Sequence, residues 1–146
     1  MRIESWMKHP VVTVKPRDSA RHAREMMEKH RVNQLPVVVD GRLVGIVTDR
    51  DLRDAFPSVF EQAEASEQHH HPAGTDPATI PVEDVMTRDV LTLAPAAFIA
   101  DAARVMRRER IGAIPVIDGG RLVGILTRSD LLDALVELNE GCTPSG

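Results

Sequence analysis

Several things are scarce in this chain of 146 residues, and each scarcity excludes something. There is one cysteine, Cys142, so no internal disulfide can form, which fits a reducing compartment. Tyrosine is absent, and three Phe and one Trp leave no stacking platform for single-stranded nucleic acid. The basic excess that neutralises phosphates is also missing, because 18 Lys and Arg face 22 Asp and Glu for a net charge of −4. Apolar runs are short: the longest uncharged one, 90–100, is far below the roughly 18 residues of a membrane span and contains Pro95. The first residues lack the apolar core of a signal peptide. Together these features predict a cytoplasmic globular protein that binds neither membrane nor nucleic acid.

What is present is a repeat. Sliding the sequence along itself by 79 residues places Met7 on Met86, Pro16 on Pro95, Met27 on Met106 and Pro36-Val37 on Pro115-Val116. The same shift places Gly41 to Ile46 on Gly120 to Ile125 and Thr48, Asp51 and Leu52 on Thr127, Asp130 and Leu131. Between 7–55 and 86–134 there are 20 identities in 49 ungapped pairs, against about three expected from ordinary residue usage. The chain is a tandem duplication. Residues 57–79, rich in Pro, Ser, Glu, Gln, His and Gly, lose the apolar periodicity and read as a linker. This gives copies at 1–56 and 80–140 and a flexible tail at 141–146. Units of about 55 residues are marginal alone, so the copies are expected to pack together.

Within a copy, Val11 to Val14 reads as a short β-branched strand stopped by Pro16. Ser19 is an N-cap candidate, and Ala20, Ala23, Met26 and Met27 recur at helical spacing. Leu35 to Val39 and Leu43 to Val47 flank Asp40-Gly41, a dipeptide suited to a tight hairpin. A second helix is expected over Asp49 to Phe56. The second copy repeats the plan with strands at 91–93, 114–117 and 122–126 and helices at 97–109 and 128–138, so the unit is β-α-β-β-α, twice, of α+β class.

The runs Leu35-Pro36-Val37 through Gly45-Ile46-Val47-Thr48-Asp49-Arg50-Asp51-Leu52 and Ile114-Pro115-Val116-Ile117 through Thr127-Arg128-Ser129-Asp130-Leu131 resemble CBS domains, as do Trp6-Met7 and Val85-Met86. The resemblance implies a CBS pair: two units associated through their sheets about a pseudo-twofold axis, often dimerising further. Such pairs usually sense AMP, ADP, ATP or S-adenosylmethionine in the cleft between the units and are not catalysts. It implies a homodimer acting on an effector protein, requiring no cofactor beyond its regulatory adenosyl ligand.

The residues themselves give a reason. Thr48 and Thr127 stand where a strand hands over to a helix, so hydroxyl, free backbone N–H groups and the positive end of the helix dipole face one space, which suits an anion. Three residues on, Asp51 or Asp130 can accept two hydrogen bonds from a ribose diol. Thr-x-x-Asp also describes an ordinary capping box worth about 1 kcal/mol with no ligand, and both readings stay open for each copy. For an adenine ring the resemblance offers Val12 and Leu91, Val32 and Ile111, and Ile46 and Ile125, each equally suited to a core. Arg50 and Arg128, with Arg31 and Arg110, are the nearest cations for phosphate, and Ser129 takes the place of Arg50 in the second copy. Gln34 and Ala113 stand where some family members carry a basic residue, which weakens a polyphosphate preference.

His69-His70-His71 supplies imidazoles without convergent geometry, so no metal site is assigned. Gly41-x-x-x-Gly45 lies on a hairpin rather than in an apolar span. No nucleophile elbow, P-loop, dinucleotide fingerprint or zinc-protease motif occurs, and no catalytic residue is assigned. The alternative to a sensor is a constitutive dimerisation or docking module with vestigial pockets.

Overall fold

The computed structural model describes residues 1–56 and 76–141. Among the described residues four α-helices and four strands follow in order: α1 (Ala20–His30), β1 (Gln34–Val39), β2 (Arg42–Thr48), α2 (Asp49–Ala55), α3 (Ile99–Glu109), β3 (Ala113–Asp118), β4 (Arg121–Thr127) and α4 (Arg128–Gly141). β1 pairs with β2 and β3 with β4 as antiparallel hairpins of matching register, each with an irregularity at the equivalent point, Val37/Val38 and Val116/Ile117. The α+β class is as expected from the sequence.

Prolines set the edges of these sheets. The strand expected over Val11 to Val14 is a single parallel bridge from Val14 to Val37, and that expected at 91–93 is a single bridge from Leu93 to Val116. Val14 N–H donates to Pro36 O at 3.0 Å and Val14 O accepts from Val38 N–H at 3.0 Å. The next rung on one side would need an N–H from Pro16 and on the other an N–H from Pro36, and proline has none. Pro95 and Pro115 truncate the second copy in the same way, so among the described residues each copy is α-β-β-α with one bridging residue in place of its first strand.

Turns and caps follow local chemistry. Asp40 and Gly41, at φ 51° and 80°, make the two-residue turn of the first hairpin, and Gly119 and Gly120, at 58° and 80°, that of the second. Ser19 Oγ accepts from His22 N–H and starts α1. Its counterpart Phe98 has no side-chain acceptor, and there the Asp101 carboxylate receives Phe98 N–H at 3.3 Å instead. α3 starts at Ile99 rather than Ala97 because Ala97 O accepts Ile3 N–H at 2.8 Å from a crossing segment. α2 stops at Ala55, one residue short of Phe56, whose φ/ψ of −132°/59° leave the helical region ahead of Pro57. With no such breaker α4 runs to Gly141, three residues beyond Leu138.

Two compact units are distinguishable, and they do not follow the two sequence copies. One comprises Val12–Val90; the other comprises Met1–Val11 with Leu91–Gly146. The core of the first gathers Val14, Met27, Leu35, Val37, Leu52 and Phe56 together with Val82. That of the second gathers Ile3 with Met106, Ile114, Val116 and Leu126. The residues leading into each copy therefore pack in the unit formed by the other copy's hairpin and helices. The end of the expected linker is also built in: Asp76 caps a 3-10 turn over Pro77–Thr79 and pairs with Arg21 at 2.8 Å. The remaining linker residues, His69-His70-His71 among them, and Cys142 lie outside the described residues.

Candidate functional site

Each Thr-x-x-Asp element stands at the junction of a hairpin's second strand and the following helix. At the first, Thr48 Oγ accepts from Asp51 N–H at 3.0 Å while Asp51 Oδ2 accepts from Thr48 N–H at 3.0 Å, a complete capping box. At the second, Asp130 Oδ2 accepts from Thr127 N–H at 2.7 Å and from the Thr127 hydroxyl at 3.0 Å, and Thr127 Oγ accepts from Asp130 N–H at 3.4 Å. Both carboxylates are thereby locked at one end. The cap and the candidate ligand acceptor are the same group, so the structure joins two readings that the sequence kept apart.

What faces the other end of each carboxylate comes from the segment leading into the opposite copy. Lys8 pairs with Ile125 of β4 through both backbone groups, Lys8 N–H to Ile125 O at 2.8 Å and Ile125 N–H to Lys8 O at 3.0 Å. Thr87 does the same with Ile46 of β2, at 2.8 and 2.9 Å. Glycine permits this approach: a Cβ on Gly45 would stand 2.6 Å from Met86 Sδ and 2.9 Å from Thr87 O, and Gly124 is crowded equivalently by Met7 and by Lys8 O at 3.2 Å. In the repeated Gly41-x-x-x-Gly45 the first glycine therefore serves the turn and the second close backbone packing.

The outcome differs between the units. Thr87 Oγ lies 3.5 Å from both carboxylate oxygens of Asp51. At the second junction the Lys8 ammonium makes a short ion pair with Asp130 Oδ1. Asp130 is buried, its side chain only 5% exposed, whereas that of Lys8 is 58% exposed. Burial pushes the Asp51 carboxyl up from its ordinary 3.8, a rise opposed by the hydrogen bonds from Thr48 and Thr87. Lys8 and Thr87 were missed from sequence, although the shift of 79 sets them opposite each other beside the paired methionines.

The other expected site residues divide. Val12 and Val32 pack partly buried against the first core, Ile111 against the second, and Ile125 is buried. Ile46 is half-buried in β2, beside Thr87. Leu91, by contrast, is 42% exposed and is not part of a core. Arg50 extends into solvent and lies 3.9 Å from Asp54 along its own helix rather than turning to Asp51. Arg128 is exposed, its guanidinium over Gly112, and Ser129 is exposed. Arg31 and Arg110 close α1 and α3 in the left-handed conformation, both at φ 55°. Among the described residues no cluster of His, Cys, Asp and Glu could hold a metal, and no helix is long and apolar enough to cross a membrane.

Comparison with known proteins places this arrangement. The model of the CBS domain matches twice, at residues 3–58 and 82–137. A CBS domain-containing protein of Dictyostelium discoideum is 35% identical over 130 residues, covering 84% of this chain and 82% of that protein. The inosine-5′-monophosphate dehydrogenase of Korarchaeum cryptofilum is 34% identical over 131 residues, but the chain spans only 23% of that enzyme's length. Among solved structures, CBSX2 in complex with AMP is similar at a TM-score of 0.77 and 26% identity, covering 94% of this chain and 97% of that one. The CBS domain pair of protein MJ0100, in complex with 5′-methylthioadenosine and S-adenosyl-L-methionine, is similar at 0.73 and 26%, covering 98% of each. With its duplicated hairpins, its paired Thr-x-x-Asp junctions and both copies matched, the chain belongs to the CBS domain family as a tandem pair.

Proposed function

We propose that this chain is a regulatory module that binds an adenosine-containing ligand, AMP, ADP, ATP or S-adenosylmethionine, at its Thr-x-x-Asp junctions. The observation that carries the reading is the pair of carboxylates, Asp51 and Asp130, each held by its own threonine at a strand-to-helix junction. A carboxylate oriented in this way matches two vicinal hydroxyls of a ribose. Ile46, half-buried on the strand that leads into Thr48, supplies apolar surface for a base. The complexes of CBSX2 with AMP and of the MJ0100 pair with methylthioadenosine and S-adenosylmethionine support the ligand class. Ligand binding then shifts the population of conformers that an effector protein meets. No step of catalysis is assigned to any residue.

The test is a thermal-shift titration of wild type and the Asp51→Ala/Asp130→Ala protein with AMP, ADP, ATP, S-adenosylmethionine and NADH. Ligand at about 100 times its Kd adds roughly 2.7 kcal/mol per site, several degrees in a domain of this size. A rise confined to wild type supports the reading; a rise equal in both proteins, or none, removes it.

A second reading, a docking or homodimerisation module with vestigial pockets, is favoured by α4. Beyond its buried face, Asp130 and Ala134, it exposes Leu132, Leu135, Val136 and Leu138 at 62, 59, 55 and 51%. Exposed apolar surface of this kind suits a second copy of the chain. Sedimentation should then show a dimer that Leu132→Ser/Leu135→Ser dissociates, whether or not the aspartates are intact.

A further inference from the structure

The two junctions hold their carboxylates alike but face them with different chemistry. Lys8 and Thr87 occupy the same position of the repeat, make the same pair of backbone bonds to β4 and β2, and present an ammonium in one unit and a hydroxyl in the other. At Asp130, Oδ2 is taken by Thr127 and Oδ1 by Lys8. At Asp51, Oδ2 is taken by Thr48, and the remaining contact among the described residues is a long one, 3.5 Å, to Thr87 Oγ.

From this difference we infer that the chain has one open and one closed ribose site: Lys8 closes the Asp130 carboxylate, so the first ligand is taken at Asp51. The inference rests on the adenosyl reading above. Charge-assisted bonds are roughly twice as strong as neutral ones, so a ribose hydroxyl is a weak competitor for the oxygen that Lys8 holds. Displacing the ammonium would also strip a buried carboxylate of its cation, which is more costly than losing a surface pair. Thr87 imposes neither barrier, since a hydroxyl at 3.5 Å gives up little when a diol approaches. The Lys8 side chain is itself largely exposed and can swing away, so a change at this one side chain should lift the closure.

The repeat supplies its own controls, since each unit contains the residue that the other lacks. Calorimetric titration with AMP and with 5′-methylthioadenosine would compare wild type, Lys8→Thr, Lys8→Arg, Thr87→Lys and Asp51→Asn. Wild type should bind its first equivalent at least about tenfold more tightly than its second, and Asp51→Asn should lose the tight one. Lys8→Thr should bring the two within about threefold, Lys8→Arg should keep the wild-type gap, and Thr87→Lys should weaken the first site about tenfold. Two equal sites in wild type, an unchanged gap in Lys8→Thr, or weaker binding in Lys8→Thr would each overturn the inference while leaving the adenosyl reading intact. If every protein in the set is folded by circular dichroism and binds neither these probes nor any ligand of the thermal-shift set, the adenosyl reading itself fails and the inference falls with it.

Discussion

Lys8 and Asp130 form an ion pair that joins residues 122 positions apart, and their repeat mates Thr87 and Asp51 meet through a hydroxyl at 3.5 Å. A duplication that began symmetric has thus placed a charge in one unit where the other is neutral. Since Asp130 is buried, the pair also matters for stability. Lys8→Met leaves that carboxylate with its Thr127 bonds but no cation, and should lower unfolding free energy by about 1–3 kcal/mol in urea. Thr87→Ala removes only a long contact to a partly exposed group and should stay within about 0.5 kcal/mol. Equal losses in the two variants would show that the ion pair contributes nothing beyond the hydroxyl.

Thr48 and Thr127 each join a strand to a helix and hold an aspartate, so their removal should register twice. Thr48→Ala and Thr127→Ala should each cost about 1 kcal/mol from the lost cap, and each should weaken the ligand at its own junction. Serine, which keeps the oxygen, should restore most of both effects. A Thr48→Ala protein that is destabilised yet binds AMP as wild type does would confine Thr48 to capping.

Gly45 and Gly124 are required by proximity and not by backbone angle. A methyl on Gly45 would stand 2.9 Å from Thr87 O, a backbone atom that cannot swing away, as well as against the Met86 thioether. Gly45→Ala should therefore cost about 1–3 kcal/mol and displace Thr87 from Asp51, visible as changed amide shifts at Thr87 and Thr48. A neutral substitution would contradict the packing described.

The pH response of Asp51 has a definite sign. Burial raises its folded-state pKa above the ordinary 3.8, so the folded state holds the proton more tightly than the unfolded chain does. No penalty applies below the unfolded value; the penalty grows as pH rises through the folded value and is complete above it. The stability of Asp51→Asn relative to wild type should accordingly increase from pH 3.5 to pH 7. Carboxyl-detected NMR should give Asp51 a midpoint above 3.8, and a midpoint at or below that value would contradict the burial argument.

Much of the fold was legible because the repeat carried its own punctuation. Ser19 capped α1 and Asp40-Gly41 turned the first hairpin as their side-chain and backbone preferences dictate. The first strands were misread because β-branched runs at 11–14 and 91–93 show propensity, whereas ladder length depended on which tertiary partner lacks an N–H. Phe56 and Leu135 diverged for a related reason. Pro57 ends one helix so that Phe56 turns into a core at 2% exposure, while its mate stays helical and 59% exposed. Asp51 and Asp130 were found by motif. Lys8 and Thr87 were not, because their role depends on segments that pack in the unit of the opposite copy, a relation that no local window contains.

The central claim, that the threonine-held aspartates receive an adenosyl ligand, is tested most directly by calorimetric titration of AMP into wild type and into the Asp51→Ala/Asp130→Ala protein. Saturable binding in wild type that disappears in a folded double variant is the predicted result. Binding of equal affinity in both proteins would contradict the claim.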